Sequence, residues 1–515
     1  DETVAILFVP ESEIEEAIRI AQQVEDLLPE NHLIVIRKSE ASQKKGRESV
    51  KGVNDRRVNR LVELLNERSR TSEQQPSLTF IKDAVENVRV AVTKRHHVVF
   101  GRRGVGKTAL LLEAKRIVEG ADSAAIWQNM QVLRGLNAGA SFLSIMRRVC
   151  DESIIVAESR GGRTRSGRLA QSLLQKIDRE FEAVALGRGS LASIIQDAQQ
   201  LHKAFCAERG SELYVFLDDF HYLDMAEQPA FLDMVHATTR DCPVWIKIAA
   251  IRNQCRLFEF DKSVGMQIGH DIAAIPLDIT LEEPAKARSF LFGILSTYLL
   301  AAGINNRSGI FSNGALDRLV LACAGVPRDF LLLSARSIQM ARERGNARTV
   351  GTQDVNDAAG EAGSQKLVEL EEDAASSKGK SKGRVQAFNI LRDFSITERH
   401  SSFFRVSIHD KNQRPDEYSL LQSIMDLRMV HILKGSLSDA HSPGERYEVY
   451  LIDLSEYSGS RLRKNMSVID LRGDDLVLRR TGVNASLTVA DTARKLVQIL
   501  RTGPQFELSA LEKLL

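Results

Sequence analysis

The residues with the clearest chemical meaning in this sequence follow the spacing G-x-x-x-x-G-K-T at positions 101–108. Glycines let this stretch turn its backbone N–H groups inward, where they and a following helix N-terminus attract phosphate oxygens. Lys107 is placed to reach β- and γ-phosphates, and the hydroxyl of Thr108 suits Mg²⁺, which prefers oxygen ligands. The pattern therefore predicts a phosphate cradle for ATP and Mg²⁺. Its predicted contact residues are Gly101, Arg102, Gly104, Val105, Gly106, Lys107, Thr108 and Ala109.

Two adjacent carboxylates are the second chemical signal. Asp218 and Asp219 follow the apolar run 213–217. A buried parallel strand would place Asp218 at its carboxyl end beside the cradle, where it would hold Mg²⁺ through water together with Thr108. Asp219 would orient the water that attacks the γ-phosphate. We therefore predict Lys107, Asp218 and Asp219 as catalytic and Thr108 and Asp218 as metal ligands; a core strand ending in a helix cap is the alternative.

Polar residues at two further positions could read the γ-phosphate. The apolar strand predicted over 244–251 ends in Arg252 and Asn253, either of which could lie beside that phosphate. We include Asn253 among the candidate catalytic residues. Arg328 follows Pro327 at the predicted start of a helix, a position favoured by proline, and could reach across from a helical lid, so we also include it among the candidate catalytic residues. A surface turn for the first pair and a surface salt bridge for Arg328 are the alternatives.

The elements that must position these side chains can be read from the apolar pattern. Apolar segments predict strands over 97–100, 123–127, 213–217, 244–251 and 272–277, with helical segments between them. Such alternation indicates an α/β fold with a mostly parallel sheet covered on both faces. Together with the phosphate cradle at 101–108, it predicts a fold of the P-loop NTPase type. The predicted domains are 1–55, an N-terminal α/β segment with a basic linker; 56–278, the nucleotide-binding core; 279–362, a helical lid; 363–384, a flexible linker; and 385–515, a winged-helix domain with C-terminal helices.

The C-terminal part carries a second kind of signal. Glutamate, serine, lysine and glycine dominate 363–384, which is typical of a flexible tether. A helix predicted over 416–433 and a strand predicted over 447–454 match the end of a winged helix. Basic residues beyond the wing could neutralise phosphates of double-stranded DNA, although winged helices also dock proteins. These residues are Arg461, Arg463, Lys464, Arg472, Arg479 and Arg480.

Five segments together resemble AAA+ ATPases, most of all the initiator-type branch with the origin-recognition and archaeal initiator proteins. They are GRRGVGKT, FLDDFHYLD, IKIAAIRN, IPLDITLEE and GVPRDFL, within about 56–455. The resemblance implies that Arg328 is the second sensor, that Arg252 or Asn253 is the first, and that a DNA-binding winged helix follows the lid. It also implies assembly with other subunits through an arginine finger, for which Arg240 and Arg256 are candidates. Many AAA+ proteins have Asp-Glu where this chain has Asp218 and Asp219, so slow, switch-like hydrolysis is expected.

Composition limits the remaining possibilities. The length of 515 residues favours several domains, and the five dispersed cysteines fit a reducing cytoplasm. The formal net charge of +2 is close to neutral, so any nucleic-acid contact must come from local basic patches. No apolar run is long enough for a bilayer, so no membrane contact is expected. Double-stranded DNA and other protein subunits are the expected partners, and self-assembly is possible. The alternatives are a signalling ATPase of the STAND type that acts on proteins without DNA, and a regulator in a bacterial antiviral defence or mobile-element system.

Overall fold

The computed structural model describes residues 3–9, 17–18, 20–21, 32–38, 50–67, 85–159, 161, 164–376, 380–438, 444–458, 463–482 and 486–514. The chain forms two compact units, residues 1–51 and 52–515. In the first unit, strand β1 (Thr3–Val9) pairs in parallel with β2 (His32–Lys38). The two strands agree with the α/β segment predicted for 1–55, whereas most of the residues between them lie outside the described residues.

A five-stranded parallel sheet organises the second unit. Its strand order is β4-β5-β6-β3-β9, so the cradle strand β3 lies between β6 and β9. The predicted parallel sheet is confirmed. The strands from this part of the chain are β3 (His97–Phe100), β4 (Ala124–Asn129), β5 (Leu213–Asp218), β6 (Val244–Ala250), the small antiparallel pair β7 (Phe258–Glu259) and β8 (Val264–Gly265), and β9 (Ala273–Pro276).

Side chains that alternate along the strands form one apolar core on each face of the sheet. Val98 and Val215 belong to one core, and their neighbours Val99 and Phe216 belong to the other. This alternation follows from the two-residue period of a strand, and burial on both faces explains the nearly continuous apolar runs. In the described part of the second unit, the helices before residue 279 are α1 (Arg56–Glu67), α2 (Val85–Ala91), α3 (Lys107–Gly120), α4 (Ala138–Ser159), α5 (Arg165–Ala185), α6 (Ala192–Arg209) and α7 (Gln228–Thr239).

Three helices follow the sheet within 279–362, the range predicted as a lid, and we call them the lid. They are α8 (Pro284–Ala301), α9 (Asn313–Cys323) and α10 (Pro327–Glu343). Helix α1 packs against α8 and α10, and Arg342 donates from Nε to the carbonyl of Val53 at 2.8 Å. The buried residues of α1, Val58, Leu61, Val62, Leu64 and Leu65, form one apolar stripe, and the tertiary structure shows that its neighbour is the lid.

The segment predicted as a flexible tether is helical wherever the structure describes it. Helix α11 (Thr352–Ser376) runs through its first part, and α12 (Lys380–Arg392) covers its end. Residues 365–375 contain Gln, Lys, Leu, Glu and Ala, which all favour helix formation, and this propensity outweighs the low-complexity composition. The expected flexible linker is therefore wrong for the described part of 363–384.

The C-terminal part contains two small antiparallel sheets, with strand orders β10-β12-β11 and β13-β14-β15. The helix predicted over 416–433 is wrong at its end, because it stops at Asp426 and 430–433 belong to a strand. Arg428 has a positive φ of 60°, which ends the helix, and β-branched residues then pair with β12. The elements are β10 (Phe403–Ser407), α13 (Ile408–Gln413), α14 (Pro415–Asp426), β11 (Val430–Ser438), β12 (Arg446–Ile452), β13 (Ser467–Arg472), β14 (Asp475–Arg480), β15 (Leu487–Val489) and α15 (Ala493–Arg501).

Among the helices of the described residues, none has both the length and the apolar character needed to span a membrane.

Candidate nucleotide site

The predicted cradle is a turn between β3 and the N-terminus of α3. Gly104 and Gly106 have φ values of 83° and 101°, a region that side chains other than glycine rarely adopt. A Cβ atom on Gly104 would also lie 2.9 Å from the Cβ atom of Arg328. Val105 is buried inside the turn, and Ala109 lies half-buried in the first helical turn. The loop can therefore hold consecutive N–H groups at a helix N-terminus, as anion binding requires.

Lys107 places a buried cation at the centre of this turn. Its Nζ atom donates to the carbonyl oxygens of Gly101 at 2.9 Å and Arg102 at 3.1 Å. Burial lowers the pKa of Lys107, and the charges of Asp219 and Asp218 oppose that shift. The residue therefore offers a positive charge that is largely removed from water, where it interacts strongly with an anion.

Thr108 and Asp218 are brought together although 110 residues separate them. The hydroxyl of Thr108 donates to Asp218, with oxygen separations of 2.9 and 3.2 Å to the two carboxylate oxygens. Burial raises the pKa of Asp218 to about 7, Asp219 adds to the rise, and the hydrogen bond from Thr108 opposes it. A hydroxyl and a carboxylate side by side are a donor set that Mg²⁺ accepts. The residues present fit the predicted metal site.

Asp219 has an unusual backbone conformation. Its φ is 55°, in the left-handed region, at the start of a short 3₁₀ helix, Phe220–Tyr222. Burial raises the pKa of Asp219, while Lys107 and Arg103 oppose the shift. A residue other than glycine in this conformation costs free energy and is often found at functional sites. The strain is consistent with the predicted role of Asp219 beside the cradle.

The predicted γ-phosphate contacts are distributed over the core and the lid. The backbone N–H of Arg328 donates to the carbonyl of Gly104 at 3.2 Å, so the start of α10 touches the cradle. Arg252 lies over the ring of Phe100, with its guanidinium carbon 4.3 Å from the ring centre. Asn253 instead donates from Nδ2 to Asp426 at 2.8 Å, in a part of the chain that no prediction connected with this site.

The side chain of Arg102 points to the lid. Its Nε atom donates to Asp278 at 3.1 Å, and Nη2 donates to the carbonyls of Ile279 at 3.1 Å and Ala324 at 3.3 Å. The side chain therefore connects the cradle with the segment that leads into the lid and with the turn between α9 and α10. The sequence predicts Arg102 as a nucleotide contact, but the structure engages its backbone as well, because its N–H donates to Asp278 at 3.0 Å and its carbonyl accepts from Lys107 at 3.1 Å.

Sequence reasoning missed three neighbours of the site. Asp278 lies in the quoted segment that leads into the lid, so its position offered a signal. His221 follows the acidic pair; burial lowers its pKa to about 3, and Lys107 and Arg103 add to the fall, so the imidazole is neutral. Asp426 gave no local signal in the sequence, because what connects it with the site is its hydrogen bond with Asn253, which forms only on folding.

The fold is that of a P-loop NTPase. Its features are a parallel sheet, a glycine-rich turn that leads into a helix, the buried Lys107, and the strand-end Asp218, which accepts a hydrogen bond from Thr108. Residues 73–246 match the family described as the AAA ATPase domain. This part of the chain is therefore similar to AAA ATPase domains.

Comparisons with other proteins give weaker similarity. No curated protein matches the chain. The Aeropyrum pernix ORC1 protein in complex with DNA is similar, with 15% identity over 77% of this chain and 94% of that one, and a TM-score of 0.38. A Walker-type ATPase of Pyrococcus abyssi has 14% identity over 76% and 98%, with a TM-score of 0.39. Thermotoga maritima RuvB has 13% identity over 54% and 68%, with a TM-score of 0.29.

Proposed function

We propose that this chain is an ATP-binding and ATP-hydrolysing molecular switch that associates with DNA through its C-terminal part and assembles with protein partners. The observation that carries the catalytic part is the hydrogen bond between Thr108 and Asp218, within the field of Lys107. Two distant sequence motifs thereby meet at one end of a parallel sheet, where α/β proteins bind their ligands.

The reaction would be attack of water on the γ-phosphate, with catalysis by positioning and by stabilisation of charge. Lys107 would hold the β- and γ-phosphates, and Arg328 would approach them from the lid. Thr108 and Asp218 would hold Mg²⁺, which supplies neutralisation of phosphate charge when bound. Asp219, next to Asp218, would orient the attacking water and accept its proton.

We further propose that residues 380–452 form a winged helix. The order α12, β10, α13, α14, β11, β12, with β12 in the middle of the sheet, supports this assignment. In such a domain α14 would be the recognition helix. Its charged residues are Asp416, Glu417 and Asp426, with no lysine or arginine, so it would repel DNA phosphates.

The basic residues of the second small sheet are better placed for DNA. Arg463, Lys464 and Arg480 are exposed, and the hydroxyl of Thr481 donates to the carbonyl of Arg463 at 2.5 Å. This hydrogen bond supports the placement of the three cations at one end of the β13–β14 hairpin. Of the other predicted cations, Arg472 is exposed at the opposite end of the hairpin, Arg479 faces Asp470 at 3.7 Å, and Arg461 lies outside the described residues. We propose that the exposed cations contact the DNA backbone.

The test is binding of the full chain to labelled duplex DNA at rising salt, with and without Mg-ATP. The triple variant Arg463→Ala, Lys464→Ala, Arg480→Ala should bind more weakly, with a salt slope shallower by about 0.9 for each phosphate that the variant no longer neutralises. The triple variant Arg179→Ala, Arg188→Ala, Lys203→Ala removes the same charge from exposed positions elsewhere and should bind normally. Absence of salt-dependent binding in both nucleotide states would reject the DNA part of the proposal.

A second candidate function is a switch that acts on a protein partner without DNA. The acidic character of α14 favours it, because winged helices without a basic recognition helix can still dock proteins. Loss of DNA binding together with intact ATP turnover would favour this candidate.

A further inference from the structure

The turn that follows α14 lies against both halves of the nucleotide cleft. Asp426 ends the helix, and its Oδ2 atom accepts from Asn253 Nδ2 at 2.8 Å and from Gln254 Nε2 at 2.6 Å. Asn253 and Gln254 follow β6, which lies next to the cradle strand β3. Ala250 of β6 pairs with Phe100 of β3. A carboxylate from the C-terminal part is therefore held at the end of the sheet where the cradle lies.

The same turn also holds the lid. Arg428 forms an ion pair with Asp329, which is buried next to Arg328 in the first turn of α10. Lys434 donates to Glu282 at 2.7 Å, in the segment that leads into the lid. We call Asp426, Leu427 and Arg428 the bridging turn. Its two charged side chains connect the segment after β6 with the start of α10.

The charge on the bridging turn faces the charges of the cradle. Burial raises the pKa of Asp426, while the hydrogen bonds from Asn253 and Gln254 and the charges of Arg103 and Lys107 oppose the rise. Asp426 is thus within the electrostatic reach of the lysine that belongs to the phosphate site. The carboxylate of Asp426 and a γ-phosphate are both negative and would be attracted to the same groups, the cations of the cradle and the amide of Asn253. Binding of one at these groups therefore weakens binding of the other.

We propose that the bridging turn is a latch that senses the γ-phosphate. ATP competes with Asp426 for Asn253 and for the field of the cradle, so ATP releases the C-terminal part from the cleft. ADP, which lacks that phosphate, leaves the latch closed. This inference rests on the proposed nucleotide binding, and it adds the means by which hydrolysis would change the C-terminal part.

The latch predicts a difference between two nucleotide states of the full chain. Amide hydrogen exchange over α14 and β11 should be about fivefold faster or more with Mg-ATPγS than with Mg-ADP. In Asp426→Ala, exchange there should be fast with both nucleotides. Its affinity for Mg-ATPγS should rise about fivefold or more, while its affinity for Mg-ADP should change less than about twofold. Asp416→Ala, which removes an exposed acid from the other end of α14, should behave like the wild type.

The wild-type measurement remains decisive if Asp426→Ala fails to fold. Equal exchange with both nucleotides bound would overturn the latch and leave the proposed ATPase function intact. An unchanged ratio of the two affinities in a folded Asp426→Ala variant would also overturn it. Absence of any nucleotide binding that depends on Lys107 would overturn the proposed function and the latch with it, and the binding measurement distinguishes this failure from the first.

Discussion

Two buried aspartates, Asp218 in the nucleotide site and Asp453 in the C-terminal part, are equally exposed, but their pKa values are shifted in opposite directions. Each exposes 3% of its surface. Burial raises the pKa of Asp218 to about 7, with a contribution from Asp219. Burial alone would also raise the pKa of Asp453, but Lys366 and a hydrogen bond from His431 outweigh it and hold this pKa well below its usual range.

The partners of the two carboxylates explain the difference. Asp453 accepts from His431 Nε2 at 3.0 Å, from Lys366 Nζ at 3.3 Å and from the backbone of Ser455 at 3.0 Å. Asp218 accepts from the hydroxyl of Thr108 and has a second carboxylate next to it. A buried acid that is matched by cations stabilises a fold, whereas one placed beside another acid is a candidate for binding a cation or for catalysis.

The largest expected effect concerns the cation of the nucleotide site. Lys107→Ala should weaken Mg-ATP binding roughly 1000-fold, because it removes a buried charge that contacts the phosphates. Titration with a fluorescent ATP analogue measures this change. Arg116→Ala removes an exposed cation from the same helix and should bind ATP normally. An unchanged affinity in Lys107→Ala would refute the site.

Replacing each aspartate by asparagine tests the comparison directly. Asp453→Asn should lower the free energy of unfolding by about 3 kcal/mol, because it leaves the charge of Lys366 without its buried partner. Asp218→Asn should lower it by less than about 1.5 kcal/mol, since an amide oxygen can still accept from the hydroxyl of Thr108, but it should abolish Mg-dependent hydrolysis. Urea denaturation and an ATPase assay give the two values, and equal losses of stability would contradict the contrast.

The second acid of the pair should affect turnover alone. Asp219→Asn should keep ATP affinity near the wild-type value and reduce kcat roughly 100-fold, as expected on removal of a general base. Steady-state ATPase rates and the same nucleotide titration separate the two parameters. A variant with normal kcat would remove Asp219 from the proposed mechanism.

The smallest expected effect is the loss of the stability contribution of Asp453 at low pH. Because the native pKa of Asp453 lies below its usual value near 3.9, its contribution is present above that pH and is lost as the pH falls through the native pKa. The stability difference between wild type and Asp453→Asn should therefore shrink by about 1–2 kcal/mol on going from pH 6 to pH 3. Urea denaturation at both pH values measures it, and a constant difference would mean that the charge of Asp453 contributes nothing.

Local patterns predicted the elements of the core well. The apolar runs before Gly101 and Asp218 are strands, since burial on both faces requires uninterrupted apolar sequence. Patterns were less informative beyond the lid. Helical periodicity continued past Asp426, and only the pairing of β11 with β12 shows where the strand begins. Composition suggested a tether at 363–384, where helix propensity and packing produce two helices.

The sequence by itself determined the cradle, because phosphate binding depends on consecutive backbone amides and on residues next to each other in the chain. The strand-end acids were also evident locally. The approach of Asp218 to Thr108 was predicted from the two motifs, and the structure adds their direct hydrogen bond. Only the tertiary structure decided that the side chain of Arg102 binds Asp278 and that Asp426 accepts from Asn253. These two contacts join residues 176 and 173 positions apart, so they depend on how the strands are ordered and how the C-terminal part packs, and no local pattern encodes them.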